Sequence, residues 1–197
     1  MARTRDAEAT KRKIVTAARK EFAANGIAGA RVEAIARRAG TNKRMLYYYF
    51  SSKAGLFREI LRGKLAESTE RLRTAPDRSH GERLVDRQAA LLADRDYVRL
   101  LMWEALETSP RGAVAAEAER AEVYRVMLER IEHEQAEGAL PADLDARQLL
   151  LTDMALVLVP LAFPQLTRLV TGMAVTDPQF LADRQVFLDR LAARLTG

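Results

Sequence analysis

The feature that most constrains this chain is the spacing of its apolar residues, which recur every three to four positions along almost the whole length. Runs of alternating or β-branched residues are absent. A 3.6-residue period puts such positions on one face of a helix, so the pattern predicts an all-α protein. Ile14, Ala18 and Phe22 form the first stripe, in a helix expected from Thr10 to Asn25 and stopped at Asn25-Gly26. Val32, Ile35, Ala36 and Ala39 form a second over 32–39, closed by Gly40; Leu46 and Phe50 a third from Asn42 to about Tyr49. Leu56, Phe57, Ile60, Leu61 and Leu65 form a fourth over 53–73. Asn42 and Ser52 stand where side-chain oxygens cap helix starts.

Past Ala75-Pro76-Asp77 the pattern gives helices near 79–93, 97–107, 113–137, 145–163 and 177–195. Ser109-Pro110, Gly138 to Pro141, Pro164 and Thr176 to Pro178 separate them. No repeat and no low-complexity linker appears, so the division falls at the fourth helix: a head over 1–52 and a larger helical part over 53–197. At 197 residues and 48% apolar content, the chain has material for a substantial core.

Charge separates the same two parts. Residues 1–74 carry 18 Lys and Arg against 7 Asp and Glu, a net of +11, and the remainder carries 14 against 20, a net of −6. The front is suited to a polyanion. There is no cysteine, hence no disulfide framework or thiolate ligand, as suits a reducing cytoplasm. The N-terminus has cations but no apolar run after them, and LLLTDMALVLVPLAF at 149–163 is too short for a membrane span and is broken by Asp153 and Pro160. No membrane and no cofactor are expected.

The segment AGTNKRMLYYYFSSKAG at 39–55 joins these observations. Ala39-Gly40-Thr41 is short enough to set two brief helices at a sharp angle, the arrangement of a helix-turn-helix whose second helix enters the major groove of duplex DNA. Asn42, Lys43 and Arg44 stand at its leading end. At about 100° per residue Tyr47, Tyr48 and Tyr49 cannot all be core. Tyr47 lies one turn from Lys43 and Arg44 and can offer its hydroxyl to a phosphate, Tyr48 extends that side, and Tyr49 lies at the margin.

From about Thr10 to Leu61, and above all in VEAIARRAGTNKRMLYYYFSSKAGLF, the sequence resembles the N-terminal domain of the TetR family of bacterial transcriptional regulators. The resemblance implies a homodimer with a three-helix DNA-binding head joined by a fourth helix to a variable helical ligand-binding domain. It puts Thr41, Asn42, Lys43, Arg44, Met45, Tyr47 and Tyr48 at DNA-reading and phosphate-contacting places, and Lys53 at a phosphate-contacting place opening the fourth helix. Two departures stand out. Arg31-Val32 replaces the usual hydroxyl residue, so Arg31 is expected to take over a phosphate contact. Arg44-Met45 replaces a glycine and a small polar residue, which suggests a guanine contact by Arg44 and a thymine-methyl contact by Met45. Arg3, Arg5, Lys11, Arg12 and Lys13 are further candidates, on an arm ahead of the first helix.

The same resemblance implies that the last two long helices pair across a dimer. Leu149, Leu150, Met154, Leu158 and Leu161, with Phe180, Leu181, Phe187, Leu188, Leu191 and Leu195, supply the apolar surface for this. Partners are therefore a double-stranded operator, a second copy, and an unidentified small-molecule effector. Met102, Trp103, Leu106, Tyr124, Met127, Met154, Leu158 and Phe163 are the candidate effector-pocket walls, since methionine and aromatic side chains line adaptable cavities. The rival readings are a sequence-indifferent or ligand-independent DNA binder and a helical enzyme. For the last, His80 and His133 lie far apart without a nucleophile motif, and Glu129, His133 and Glu137 share a helix face at metal-ligand spacing.

Overall fold

The computed structural model describes residues 2–109 and 112–195, with the side chains of 2–5 excepted. Among these residues there are ten helices and no strand. They are α1 (Ala2–Gly29), α2 (Val32–Arg38), α3 (Lys43–Phe50), α4 (Lys53–Thr74), α5 (His80–Ala93), α6 (Arg95–Glu107), α7 (Glu117–Ala136), α8 (Ala146–Ala162), α9 (Pro164–Thr171) and α10 (Pro178–Leu195). The all-α expectation holds.

Two boundaries differ from those expected. α1 starts at Ala2 rather than Thr10, so Lys11, Arg12 and Lys13 are helical residues and not an arm; Lys11 is tied to Glu59 at 2.8 Å. Arg3 and Arg5 have side chains outside the described residues. The helix does break at Gly26, where φ of 74° and ψ of 176° leave the helical region. The Pro164 region, expected only to separate, opens α9: proline is tolerated at a first helical position because its missing N–H would lack a partner there anyway. Gly172, at φ 74°, closes that helix.

The chain divides into two compact units. Residues 1–68 and 99–121 form the first, 69–98 and 122–197 the second. The sequence placed its boundary at 52/53, but α4 stays with the first unit down to Ser68 because Leu56, Phe57, Ile60, Leu61 and Leu65 are all buried.

In the first unit Ile14, Ala18 and Phe22 are fully buried, and Phe22 meets Phe57 edge to face at 5.6 Å. The later segment is tied to α1 by polar contacts with no signature in local sequence. Arg99 Nε donates to the Ala23 carbonyl at 2.5 Å and Trp103 Nε1 to the same oxygen at 3.3 Å. Glu104, buried, pairs with Arg120 and accepts from the Ala115 amide at 3.0 Å.

The second unit is built on α5, α8 and α10, whose Leu84, Val157 and Leu188 are almost fully buried together. Ser79 and Glu82 form a reciprocal capping box at the start of α5, and Asp145 caps α8 through the amides of Arg147 and Gln148. Pro160 interrupts the α8 amide ladder, and its carbonyl accepts from Thr167 Oγ1 at 3.0 Å. No single helix is long and apolar enough to cross a membrane; α8 and α9 meet at an 89° bend.

Candidate nucleic-acid interface

The α2–α3 corner follows from three local devices. Ala39 ends α2 in helical geometry, Gly40 takes φ 66°, and Thr41 N–H returns to the Ala36 carbonyl at 2.9 Å. A left-handed glycine closing a helix with such a return bond is a common C-terminal stop. Asn42, extended, then starts α3 with its Oδ1 accepting from Met45 N–H at 3.0 Å. Ser52 Oγ accepts from Gly55 N–H at 2.9 Å and caps α4 in the same way.

These ends fix which face of α3 looks inward. Leu46 and Phe50 are buried, while Asn42, Lys43, Arg44, Tyr47 and Tyr48 are exposed, Tyr48 at 77%. Thr41 and Met45 are half-buried at the edge. An exposed tyrosine of this degree does no work for the core, and Tyr48 stacks edge to face on Tyr49 at 5.3 Å, which holds both rings. Lys43 lies 6.0 Å from the Tyr47 ring centre. The result is one face with two cations, two phenols and a carboxamide.

The charges on this face are managed. Lys43 donates to Glu33 of α2 at 2.8 Å; the bond raises the Lys43 ammonium pKa and lowers that of the Glu33 carboxyl. Arg31 is exposed at the N-cap of α2 without a side-chain cap bond. Lys53 donates to the carbonyls of Ala28 at 2.8 Å and Ala30 at 3.3 Å, so it already closes the turn before α2 in addition to opening α4. Glu21, which the sequence reading passed over, is the buried anchor of the corner. Its carboxylate accepts from Arg38 at 3.3 Å, from Asn25 at 3.1 Å and from the Arg31 amide at 3.4 Å. An acidic residue inside an otherwise cationic segment is the signal that could have found it.

The eight expected effector-wall residues do not gather around one cavity. A small cavity of ≈30 Å³ in the second unit includes Met127 in its lining, but none of the other seven candidates. Trp103 instead packs at Gly26, where an added Cβ would come within 2.9 Å of its ring, and gives its N–H to Ala23. Leu106 and Phe163 are mostly exposed, Tyr124 is at the surface, and Met102, Met154 and Leu158 are half-buried. The cavity is instead bordered by His80, Arg83, Arg87, Arg130 and Asp153 among apolar residues. His80 Nε2 lies 3.1 Å from Asp153 Oδ1, and Nδ1 lies 3.6 Å from Glu134. Burial lowers the His80 pKa, but its bonds to the two carboxylates outweigh that and lift it from 6.5 to about 9, so the ring is cationic at neutral pH. These groups are 73 and 54 residues apart, beyond any local motif. The Glu129, His133 and Glu137 set does not converge: Glu129 pairs with Arg125, and His133 with Glu137 at 3.3 Å.

A three-helix head with a glycine-cornered, polar-faced third helix, followed by a larger helical unit, defines a helix-turn-helix regulator. The family model for bacterial regulatory proteins of the tetR family matches residues 14–60, and that for a tetracyclin repressor-like C-terminal domain matches residues 79–194. The chain belongs to the TetR family of transcriptional regulators. It is 35% identical over 170 residues to the HTH-type transcriptional repressor SCO4008 of Streptomyces coelicolor, covering 85% of this chain and 86% of that one. Among solved structures it is similar to the transcriptional regulator SCO4942 of Streptomyces coelicolor, with TM-score 0.77, 26% identity, and 94% and 97% of the two chains covered. It shares its fold with FadR of Bacillus subtilis in complex with stearoyl-CoA, with TM-score 0.69, 18% identity, and 92% and 97% covered.

Proposed function

We propose that this chain is a cytoplasmic, ligand-responsive transcriptional repressor that binds an inverted-repeat operator as a homodimer. The observation that carries it is the division of α3, with Leu46 and Phe50 sealed inside while Asn42, Lys43, Arg44, Tyr47 and Tyr48 face outward beyond the Gly40 corner. In this reading Arg44 reads a guanine through its fork and Met45 touches a thymine methyl. Lys43, Tyr47, Arg31 and the amide end of α4 with Lys53 hold phosphates, and Thr41 and Asn42 fix the approach. Repression is supported by the relation to SCO4008, named as a repressor.

Pairing is supported by apolar side chains that the chain itself does not cover. Leu151 and Val159 on α8, Leu166, Leu169 and Val170 on α9, and Phe187 on α10 are 40–77% exposed. Such a surface is unusual on a lone soluble chain. It is not the set expected from sequence: Leu149, Leu150, Leu161, Phe180 and Leu188 are consumed by the chain's own core, and only Phe187 is on both. A second copy would bring two α3 helices about one DNA turn apart, roughly 34 Å. An effector in the second unit would favour an arrangement that breaks this spacing.

Selection of bound sequences from random DNA tests the proposal. The expected product is an inverted repeat bound at least ~10³-fold more tightly than bulk DNA at physiological salt. Equal affinity for all sequences would leave the sequence-indifferent reading.

A further inference from the structure

We propose that the cavity in the second unit recognises a small amphiphilic organic acid, with Arg87 as the residue that takes its carboxylate. The proposal rests on the reading of that unit as the effector-binding part. It starts from a group left unmatched. Arg87 borders the cavity, and its Nη1 is sealed from solvent with no hydrogen-bond partner among the described residues. A buried polar atom without a partner costs stability and in a native fold calls for an explanation.

The neighbouring carboxylates are engaged with other cations and give the Arg87 Nη1 no hydrogen bond. Asp153 faces His80 at 3.1 Å. Glu134, behind the lining, is held by Arg83, lies 3.6 Å from His80 and 3.9 Å from Arg130. Arg130 also pairs with Asp77 at 3.4 Å. Four cationic side chains, His80, Arg83, Arg87 and Arg130, therefore meet three carboxylates, and Arg87 is the cation without an ion pair of its own among the described residues. Burial lowers the pKa of the Arg87 guanidinium and the charge of Asp153 raises it, so an arriving anion would relieve a group that its surroundings satisfy only in part. A guanidinium fork fits a carboxylate with two parallel bonds.

The rest of the lining sets the other half of the ligand. Leu84, Val126, Met127 and Ile131 are apolar, and Met127 can change rotamer to make room. At ≈30 Å³ the space now holds about one water molecule, enough for a head group and not for a tail. The tail must part the apolar wall, and that movement is where binding couples to the fold.

The test uses the full chain, the straight-chain carboxylates from acetate to decanoate, and alkylamines of the same lengths. Calorimetry should find at least one carboxylate bound, the matching amine bound about tenfold more weakly or not at all, and Arg87→Gln weakened about tenfold for the acid. Arg87→Lys should keep part of the affinity. Without ligand, Arg87→Gln should melt at the same temperature as the parent or higher, since it removes an unsatisfied charge. The proposal is overturned if amines bind as well as acids, if no carboxylate favours the parent over Arg87→Gln, or if the unliganded variant melts markedly lower. DNA binding by the same preparations separates the two readings: a parent that binds acids but selects no DNA sequence keeps the anion site and loses the regulator function.

Discussion

The carboxylate of Glu107, at the end of α6, accepts the Ala28 amide at 2.9 Å, and its other oxygen accepts the Ile27 amide at 3.1 Å. It thus caps the single turn that resumes after the break at Gly26, eighty positions earlier in the chain. An acidic group at the start of a helical turn meets both free amides and the positive end of the peptide dipoles.

Glu107→Ala should destabilise the chain by about 1 kcal/mol, the ordinary cost of a lost N-cap, read as a shift in urea midpoint. Gly26→Ala should cost more, about 2 kcal/mol or above. Its φ of 74° disfavours any side chain, and the new Cβ would collide with Glu107 Oε1 and lie 2.9 Å from Trp103. Equal stability of the alanine variant would mean that the turn after Gly26 relaxes freely.

Arg44 and Lys43 should part company in binding experiments. Arg44→Ala is expected to cost about 1–3 kcal/mol on the best operator and to flatten discrimination at one base pair of each half-site. Lys43→Ala should weaken all sequences alike and reduce the salt slope. Titration of both variants against a panel of single-base operator changes is the measurement, and a uniform loss for Arg44→Ala would reassign it to phosphate.

The His80 cluster gives stability a dependence on pH. Its folded pKa, about 9, lies above the ordinary 6.5, so the folded state holds the proton more tightly than the unfolded one. The stabilisation is fully present below pH 6.5 and is lost as the pH rises through 9, by at most about 3 kcal/mol. Urea midpoints at pH 6, 8 and 9.5 should fall across that window. His80→Gln should lower stability at pH 6 and flatten the decline.

Leu169, 77% exposed on α9, is the sharpest probe of pairing. Leu169→Glu should leave helix content intact, yield monomers by light scattering at micromolar concentration, and weaken operator binding by at least ~10²-fold because two half-sites are no longer held together. A dimer that survives this change would place the interface away from α9.

What could be read from the sequence was what depends on neighbours in the chain. The inward pairs Leu46 and Phe50 on α3, the Asn42 and Ser52 caps and the Gly26 stop all follow from period and local chemistry. α9 is not legible because Pro164 reads equally well as a break, although proline also suits a first helical position. The surroundings of Trp103 are not legible either, because a large aromatic ring in a middle helix suits a cavity as well as a core. Its bond to the carbonyl of Ala23, far back in the chain, could not be read from spacing. The same holds for His80 with Asp153 and for Glu21 with Arg38: the partner lies too far along the chain for spacing to reveal it.

Glu33 beside Lys43 has a bearing on how affinity would respond to ionic strength. If Lys43 holds a phosphate as proposed, the incoming oxygen competes with this carboxylate for the same ammonium group. A phosphate would have to displace it, so Lys43 exchanges one anion for another and the gain from neutralising that phosphate is partly offset. Removing that occupant by Glu33→Gln would sharpen the response to added salt and strengthen loose attachment to any duplex. In the proposed reading, that side chain would hold down attachment to DNA outside the operator.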